Sequence, residues 1–192
     1  NLDKDKYDIH IFPVPNDQED KWIDDLVSIN PDIIVSTLHG GLGENGSMQG
    51  LLHCLNIPYV GSKVLASALC MDKKSTKTVL EANHIQTARD VYIKRGESIA
   101  LYVDEIRQIG FPLIVKPNRG GSSIGITIVN DLTELDSAVN NIVEKYDDDV
   151  IAEKFIQGRE VTCCVFEDKD GIKVLAVLEV NKKGDIFDYS DK

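Results

Sequence analysis

A chain of 192 residues, 42% hydrophobic and 28% charged, is long enough for one large domain or two smaller ones around a buried core. Its formal net charge of −11 argues against nucleic acid as the main partner, because phosphate backbones demand a basic surface. It still leaves room for a local basic pocket that takes a small phosphate ligand. No stretch approaches the roughly 20 apolar residues of a membrane span, and NLDKDKYDIH lacks the basic-then-apolar signal pattern.

Tyr7 to Val14 (YDIHIFPV) alternates apolar and polar residues and is predicted as a strand. Asp17 to Ile29 carries Trp22, Ile23, Leu26, Val27 and Ile29 at helical spacing, with Asn16 or Asp17 as the cap. PDIIVSTL is a continuous apolar run and is expected as a strand buried on both faces. The loop HGGLGENG follows, then a helix with Met48, Leu51, Leu52 and Leu55, then a short strand in IPYVGS. Alternating strands and helices in this order imply a parallel sheet with right-handed crossovers.

Ser67 to Asn83 has helical spacing again. IQTARDVYI and FPLIVKP look like strands, separated by a helix from Val103 to Ile109. SSIGITIV is a further strand. Asp131 with Glu134 three residues on makes a capping box for a helix to Tyr146, whose buried stripe is Leu135, Val139, Ile142 or Val143, and Tyr146. DVIAEKFI, REVTCCVFE and KVLAVLEV are three β-rich runs with turns at QG and DKDG. The chain therefore opens with a parallel α/β part, is α+β with antiparallel hairpins after about residue 90, and is expected to have domain boundaries near residues 62 and 150. It opens almost directly on a strand and ends at FDYSDK without a stop signal, so truncation at both ends is expected. Cys54, Cys70, Cys163 and Cys164 form neither a CxxC pair nor a metal-finger spacing. They are expected as buried small hydrophobes in a reducing cytosol.

Four stretches carry chemistry. In FPLIVKPNRGGSSIGITIV two strands are joined by Asn118 to Ser123. Gly120 and Gly121 let the backbone turn its N–H groups onto an anion, and Lys116 can reach the same anion. A plain hairpin loop fits the glycine pair equally well. In IAEKFIQGRE, strand alternation puts Glu153 and Phe155 on one face, Lys154 and Ile156 on the other. Glu153 and the following backbone groups suit an adenine edge, with Glu160 placed for ribose hydroxyls; a solvated edge strand is the competing reading. His39 and Glu44 sit on the loop after a parallel strand, where α/β sheets bind ligands, although a lone histidine there is more often structural. Lys73, Lys74 and Lys77 of MDKKSTK read by themselves as a solvated helix face.

In their order these stretches resemble the D-alanine–D-alanine ligase family of the ATP-grasp superfamily. HGGLGENGSMQGLL is similar to its HGxxGEDGxxQGLL segment, GSKVLASALCMDKKSTK to GSxxLASALxMDKxxxK, VKPNRGGSSIG to VKPxxxGSSxG, and EKFIQGRE to its E-(hydrophobic)-I-xGRE strand. FDYSDK resembles the start of YDYxxKY. The resemblance implies a truncated fold. Residues 1–62 would be an incomplete parallel-sheet domain preceding the grasp, 63–150 the central ATP-grasp subdomain, and 151–192 the start of the C-terminal one.

The resemblance also implies roles. Lys73 and Lys116 would contact the ATP phosphates, with Gly121, Ser122 and Ser123 closing over them and Ser122 acting at the reacting centre. Glu153, Glu160 and the backbones of Lys154 and Ile156 would hold the nucleoside, and His39 would face the first D-alanine. ATP and D-alanine are the implied substrates, with magnesium ligands expected beyond Lys192. The implied setting is a cytoplasmic homodimer that joins two D-alanine molecules for peptidoglycan precursors. Asn45 stands where the family usually has Asp. The family's glycine-rich first strand and its amine-binding Glu would precede Asn1. Its catalytic Tyr, substrate-binding Arg and C-terminal Ser would follow Lys192, so the fragment alone is expected to be inactive. D-Alanine–D-lactate and D-alanine–D-serine ligases fit the same residues. A carboxylase-type ATP-grasp subunit lacks the HGxxGE loop, and a nucleotide-sensing module without chemistry is the non-enzymatic alternative.

Overall fold

The computed structural model describes residues 2–14, 21–121 and 123–180. The chain forms two compact units, Asn1–Ala66 and Ser67–Lys192.

In the first unit, helix α1 (Lys21–Ile29) and α3 (Ser47–Cys54) flank two short strands, β1 (Ile34–Val35) and β2 (Tyr59–Val60). The strands pair in parallel, Ile34 opposite Tyr59 and Val35 opposite Val60, as the alternating pattern requires. Leu26, Met48, Leu52 and Ile57 make the core, with Phe12, Val14, Trp22 and Ile34 packed against it. Two expectations are corrected here. Tyr7 to Val14 forms no ladder, because no strand among the described residues bonds to it; Phe12 and Val14 still reach the core. The PDIIVSTL strand is not buried on both faces. Ile33 and Val35 are more than half exposed, since the helices cover only the Ile34 side. The caps expected at Asn16 or Asp17 lie outside the described residues, as does FDYSDK.

The glycine loop folds into a single helical turn, α2 (Gly41–Glu44). Gly43 is packed so closely that a Cβ there would lie 2.4 Å from the Leu38 Cβ. Only glycine fits that contact.

The second unit opens with α4 (Val64–Met71), which begins in the last residues of the first, and α5 (Lys73–Ala82). The two are separated by Asp72, whose carboxylate accepts from the Ser75 N–H as the α5 cap. One predicted helix thus becomes two. A four-stranded antiparallel sheet follows, in the order β3-β6-β4-β5. Its strands are β3 (Asp90–Ile93), β4 (Leu113–Pro117), β5 (Thr127–Val129) and β6 (Val150–Lys154). The boundary expected near residue 150 falls at the start of β6, an interior strand of this sheet.

Strand alternation sorts this sheet into two faces. Val91 and Ile93, Leu113 and Val115, Val129, and Val150 and Ala152 all bury into one core. That face is covered by α6 (Val103–Ile109) and α7 (Leu132–Tyr146), which supply Ile106, Leu135, Ala138, Val139 and Ile142. Asp131 caps α7, accepting from Thr133 and Glu134, while the Glu134 carboxylate reaches back to the Asn130 N–H. The capping box is present, shifted by one residue on its return bond. Ile142, rather than Val143, is the fully buried member of the stripe, and Tyr146 is exposed at its end.

Beyond the sheet, β7 (Glu160–Asp168) and β8 (Gly171–Val180) form a long antiparallel hairpin with a bulge at Cys164/Val165. Its apolar residues, among them Val161, Phe166 and Leu175, are exposed. The cysteine expectation fails here and elsewhere. All four are free and exposed, Cys163 and Cys164 because nothing described covers either side of the hairpin. No helix among the described residues is long and apolar enough to cross a membrane.

Candidate functional site

The second face of the sheet is the chemical one. Asp90 on β3 lies opposite Glu153 on β6, and Glu153 lies opposite Ile114 on β4, two residues from Lys116. Alternation therefore places Asp90, Glu153 and Lys116 on one side, the side away from α7. Helix α5 adds Lys73 and Lys77, one turn apart. Lys73, Lys77, Lys116 and Glu153 meet in a cleft of about 230 Å³, lined also by Cys70 and Thr76.

Glu153 is the hub. Its Oε1 is ion-paired with Lys116 and its Oε2 with Lys77 at 3.2 Å. Lys77 also meets Asp90 at 3.1 Å and the Ala88 carbonyl, and Lys74 reaches Asp90 at 3.3 Å. The Lys73 ammonium donates to the carbonyls of Gly120 (2.9 Å) and Asn118 (3.3 Å) on the β4–β5 loop. Burial pulls the Lys73 ammonium below its ordinary pKa, and the Lys116 charge pushes the same way, against the pull of Asp148, Glu153 and Asp72. Three ammonium groups on one small cleft make the local basic pocket that the acidic composition left room for.

The loop is anchored from below. Asn118, fully buried, accepts the Lys74 N–H on its Oδ1 at 2.9 Å and donates from Nδ2 to Asp72 at 2.8 Å. Burial pushes the Asp72 carboxyl up, but hydrogen bonds from Ser75 and Asn118 and the Arg119 charge outweigh it and hold it low. Arg119 donates its N–H to Asp148 at 2.6 Å. Next to it, Asp149 accepts from the Arg95 N–H and the Tyr92 hydroxyl, and these bonds hold its carboxyl below the usual range. Burial, then Asp149, pushes the Tyr92 hydroxyl up to about 12.

A lowered carboxylate pKa stabilises the fold fully above the unfolded value, and that stability is lost as pH falls through the folded value. Thermal stability of the second unit should therefore drop as pH falls below about 4. Asp149→Asn should make that drop shallower in a melting series from pH 7 to pH 2.5. An unchanged acid slope would remove Asp149 from the account.

Of the residues expected from sequence, Lys73, Lys116 and Glu153 come together. Lys154 instead points to the opposite face, where its ammonium donates to the carbonyls of Gly110 and Phe111. Its N–H donates to the Arg89 carbonyl at 2.8 Å. Ile156 and Glu160 follow on exposed backbone. Gly121 and Ser123 lie on the β4–β5 loop, Ser123 in the left-handed region at φ 58; Ser122 is outside the described residues. His39 belongs to the first unit, with its side chain 88% exposed and 4.0 Å from Glu44. Lys77 is the residue sequence reasoning misjudged. It is 7% exposed, not solvated. Its only local signal was the four-residue spacing from Lys73. Among the described residues no three His, Cys, Asp or Glu side chains group as a metal site.

Comparison with known proteins follows the same division. Residues 12–62 match the family model for the D-ala D-ala ligase N-terminus, and residues 79–192 match that for the C-terminus. A D-alanine–D-alanine ligase of Bacillus anthracis is 40% identical over the whole chain, and one of Clostridium beijerinckii is 38% identical. The chain spans 60% of the length of each. Among solved structures, the Bacillus anthracis ligase superposes with a TM-score of 0.81 at 39% identity, covering all of this chain and 60% of that one. A structure of that organism's ligase complexed with ATP gives 0.78 at 37% identity, over 97% of this chain and 59% of that one. The VanG D-Ala:D-Ser ligase of Enterococcus faecalis gives 0.74 at 38% identity, over 84% and 46%. The mixed fold is that of the ATP-grasp class. Within that class, the chain belongs to the D-alanine–D-alanine ligase family.

Proposed function

We propose that the chain carries the nucleotide-binding part of a ligase that joins two D-alanine molecules at the expense of ATP. One observation carries this reading: Lys73, Lys116 and Glu153, from a helix and two strands, converge on a single cleft. In the reaction, a carboxylate oxygen of the first D-alanine attacks the γ-phosphorus and ADP leaves. The amine of the second D-alanine then attacks the acyl carbon, loses a proton, and phosphate departs. The protein's part is positioning and charge neutralisation. Lys73 and Lys116 neutralise the phosphates, and the backbone of Gly121, Ser122 and Ser123 closes over them, with Ser122 at the reacting centre. Glu153, Glu160, the Lys154 carbonyl and the Ile156 backbone hold the nucleoside. His39 faces the first D-alanine.

The relatives' names support the substrate assignment, and the ATP complex of the Bacillus anthracis ligase supports the nucleotide. Magnesium accompanies the nucleotide in this reading, and the setting is a cytoplasmic homodimer that makes peptidoglycan precursors. The likeness to the VanG D-Ala:D-Ser ligase supports D-serine as a second acceptor to test. In a ligase-length form of the protein, Lys116→Ala should reduce ATP affinity or turnover by at least about tenfold, or about 1.4 kcal/mol. Turnover measured with D-alanine, D-lactate or D-serine as the second substrate identifies the acceptor. Unchanged kinetics in Lys116→Ala would sink the nucleotide assignment.

A further inference from the structure

Lys73, Lys116 and Glu153 have direct roles toward the nucleotide in the proposed reaction, and Lys77 has none. A lysine ammonium this buried is costly unless it is fully paired, and Lys77 has three acceptors: Asp90, Glu153 and the Ala88 carbonyl. Helix α5 and those contacts fix it in place. Lys116 differs. Its side chain is more exposed than that of Lys77, and among the described residues Glu153 is its only partner. The Glu153 carboxylate is thus bridged by one ammonium with two further acceptors and one for which it is the sole partner among the described residues.

We propose that Lys77 is a positioning residue, the fixed counter-ion of Glu153 that lets Lys116 leave that carboxylate for a nucleotide phosphate. The proposal rests on Lys116 being a phosphate ligand. The argument is electrostatic. Glu153 sits in the cleft with little water around it. If Lys116 were its sole partner, every phosphate contact by Lys116 would strand an uncompensated carboxylate, and the ion pair would compete with ATP. With Lys77 held on Oε2, the carboxylate keeps one ion pair throughout. Its Oε1 then becomes free as Lys116 departs, available to accept from the adenine amino group.

The test is a double-mutant cycle in a ligase-length form of the protein, read as the KM for ATP and the KM for D-alanine. Lys77→Met should raise the KM for ATP by about tenfold, within the range of coupling between residues of one salt-bridge network, and leave the KM for D-alanine unchanged. In a Lys116→Ala background, Lys77→Met should change the KM for ATP by less than about twofold, because its effect passes through Lys116. Should Lys77→Met not fold, the same cycle is run with Asp90→Asn in every variant, which removes the second carboxylate that Lys77 compensates. Effects of the two substitutions that simply multiply, or a Lys77→Met variant with an unaltered KM for ATP, would overturn the proposal. A Lys116→Ala variant that binds ATP normally would instead overturn the phosphate reading on which it stands.

Discussion

Leu135→Ala should destabilise the second unit by about 2–5 kcal/mol, the range for a fully buried leucine cut back to alanine. Leu135 is 0% exposed and lies in the core between α7 and the apolar sheet face. The buried cluster it belongs to draws on β3, β4, β5, β6, α6 and α7, so the cavity has few ways to collapse. A melting-temperature loss on the order of 10 °C is expected for a unit of this size. Leu101→Ala, at a position 71% exposed, should change stability by no more than about 0.5 kcal/mol. Because the lysine-bearing face is the reverse of the same sheet, Leu135→Ala should also weaken nucleotide binding once the unit begins to open. Equal melting curves for Leu135→Ala and Leu101→Ala would mean that α7 does not close the core.

The residues that form this core were readable because each element carries its own periodicity. In α7 the stripe of Leu135, Val139 and Ile142 needs no knowledge of its partners, and the Asp131 cap marks its start. The span Val103–Ile109 was likewise visible. The strand at Tyr7 to Val14 shows where such reading stops. Alternation describes a residue's fitness for a sheet, but a strand exists only where a neighbour supplies hydrogen bonds. The same limit applies to PDIIVSTL. An apolar run is compatible with burial on both faces, and whether both are covered depends on layers far away in sequence.

The site divides in the same way. Lys116 and Glu153 stood out through motifs that are local. Their ion pair follows from the register that sets Ile114 against Glu153, which no local pattern reveals. Lys77 was hidden for a stronger reason. Its helix, KKSTKTVLEA, is polar over its first turns, and a lysine in such a setting is ordinarily solvated. Burial is tolerated here only because Asp90 and Glu153 meet it from two other strands, Glu153 from 76 positions away. Asn118 was masked similarly. It lies in a turn-forming stretch of Asn, Arg and Gly, where asparagine usually serves its own turn.

Asn118→Ala is expected to cost about 2–4 kcal/mol and to weaken ATP binding, because it removes both part-buried hydrogen bonds of a fully buried side chain, one of them to a carboxylate. The backbone bonds survive the change: the Asn118 N–H still donates to the Asp149 carbonyl at 2.8 Å, and its carbonyl still accepts from the Lys73 N–H at 3.1 Å. What is lost is the clamp on α5. The Lys74 N–H is left without an acceptor at the first turn of that helix, and the Asp72 Oδ2 retains only Arg119, at 3.3 Å. Lys73 stands on that same turn and Lys116 at the end of the strand before Asn118, so their spacing across the cleft depends on the clamp. ATP affinity should fall by about tenfold, or about 1.4 kcal/mol. Asn118→Asp keeps the acceptor for Lys74 but sets a carboxylate against that of Asp72 at hydrogen-bond distance, where two like charges repel. It should therefore be at least as destabilising at pH 7, and it should recover stability as the pH is lowered towards 4 and one of the two acids takes up a proton. A denaturation series on both variants at pH 7 and pH 4 checks this. If Asn118→Asp were as stable as the parent at pH 7, the Asn118–Asp72 contact would not be the clamp described.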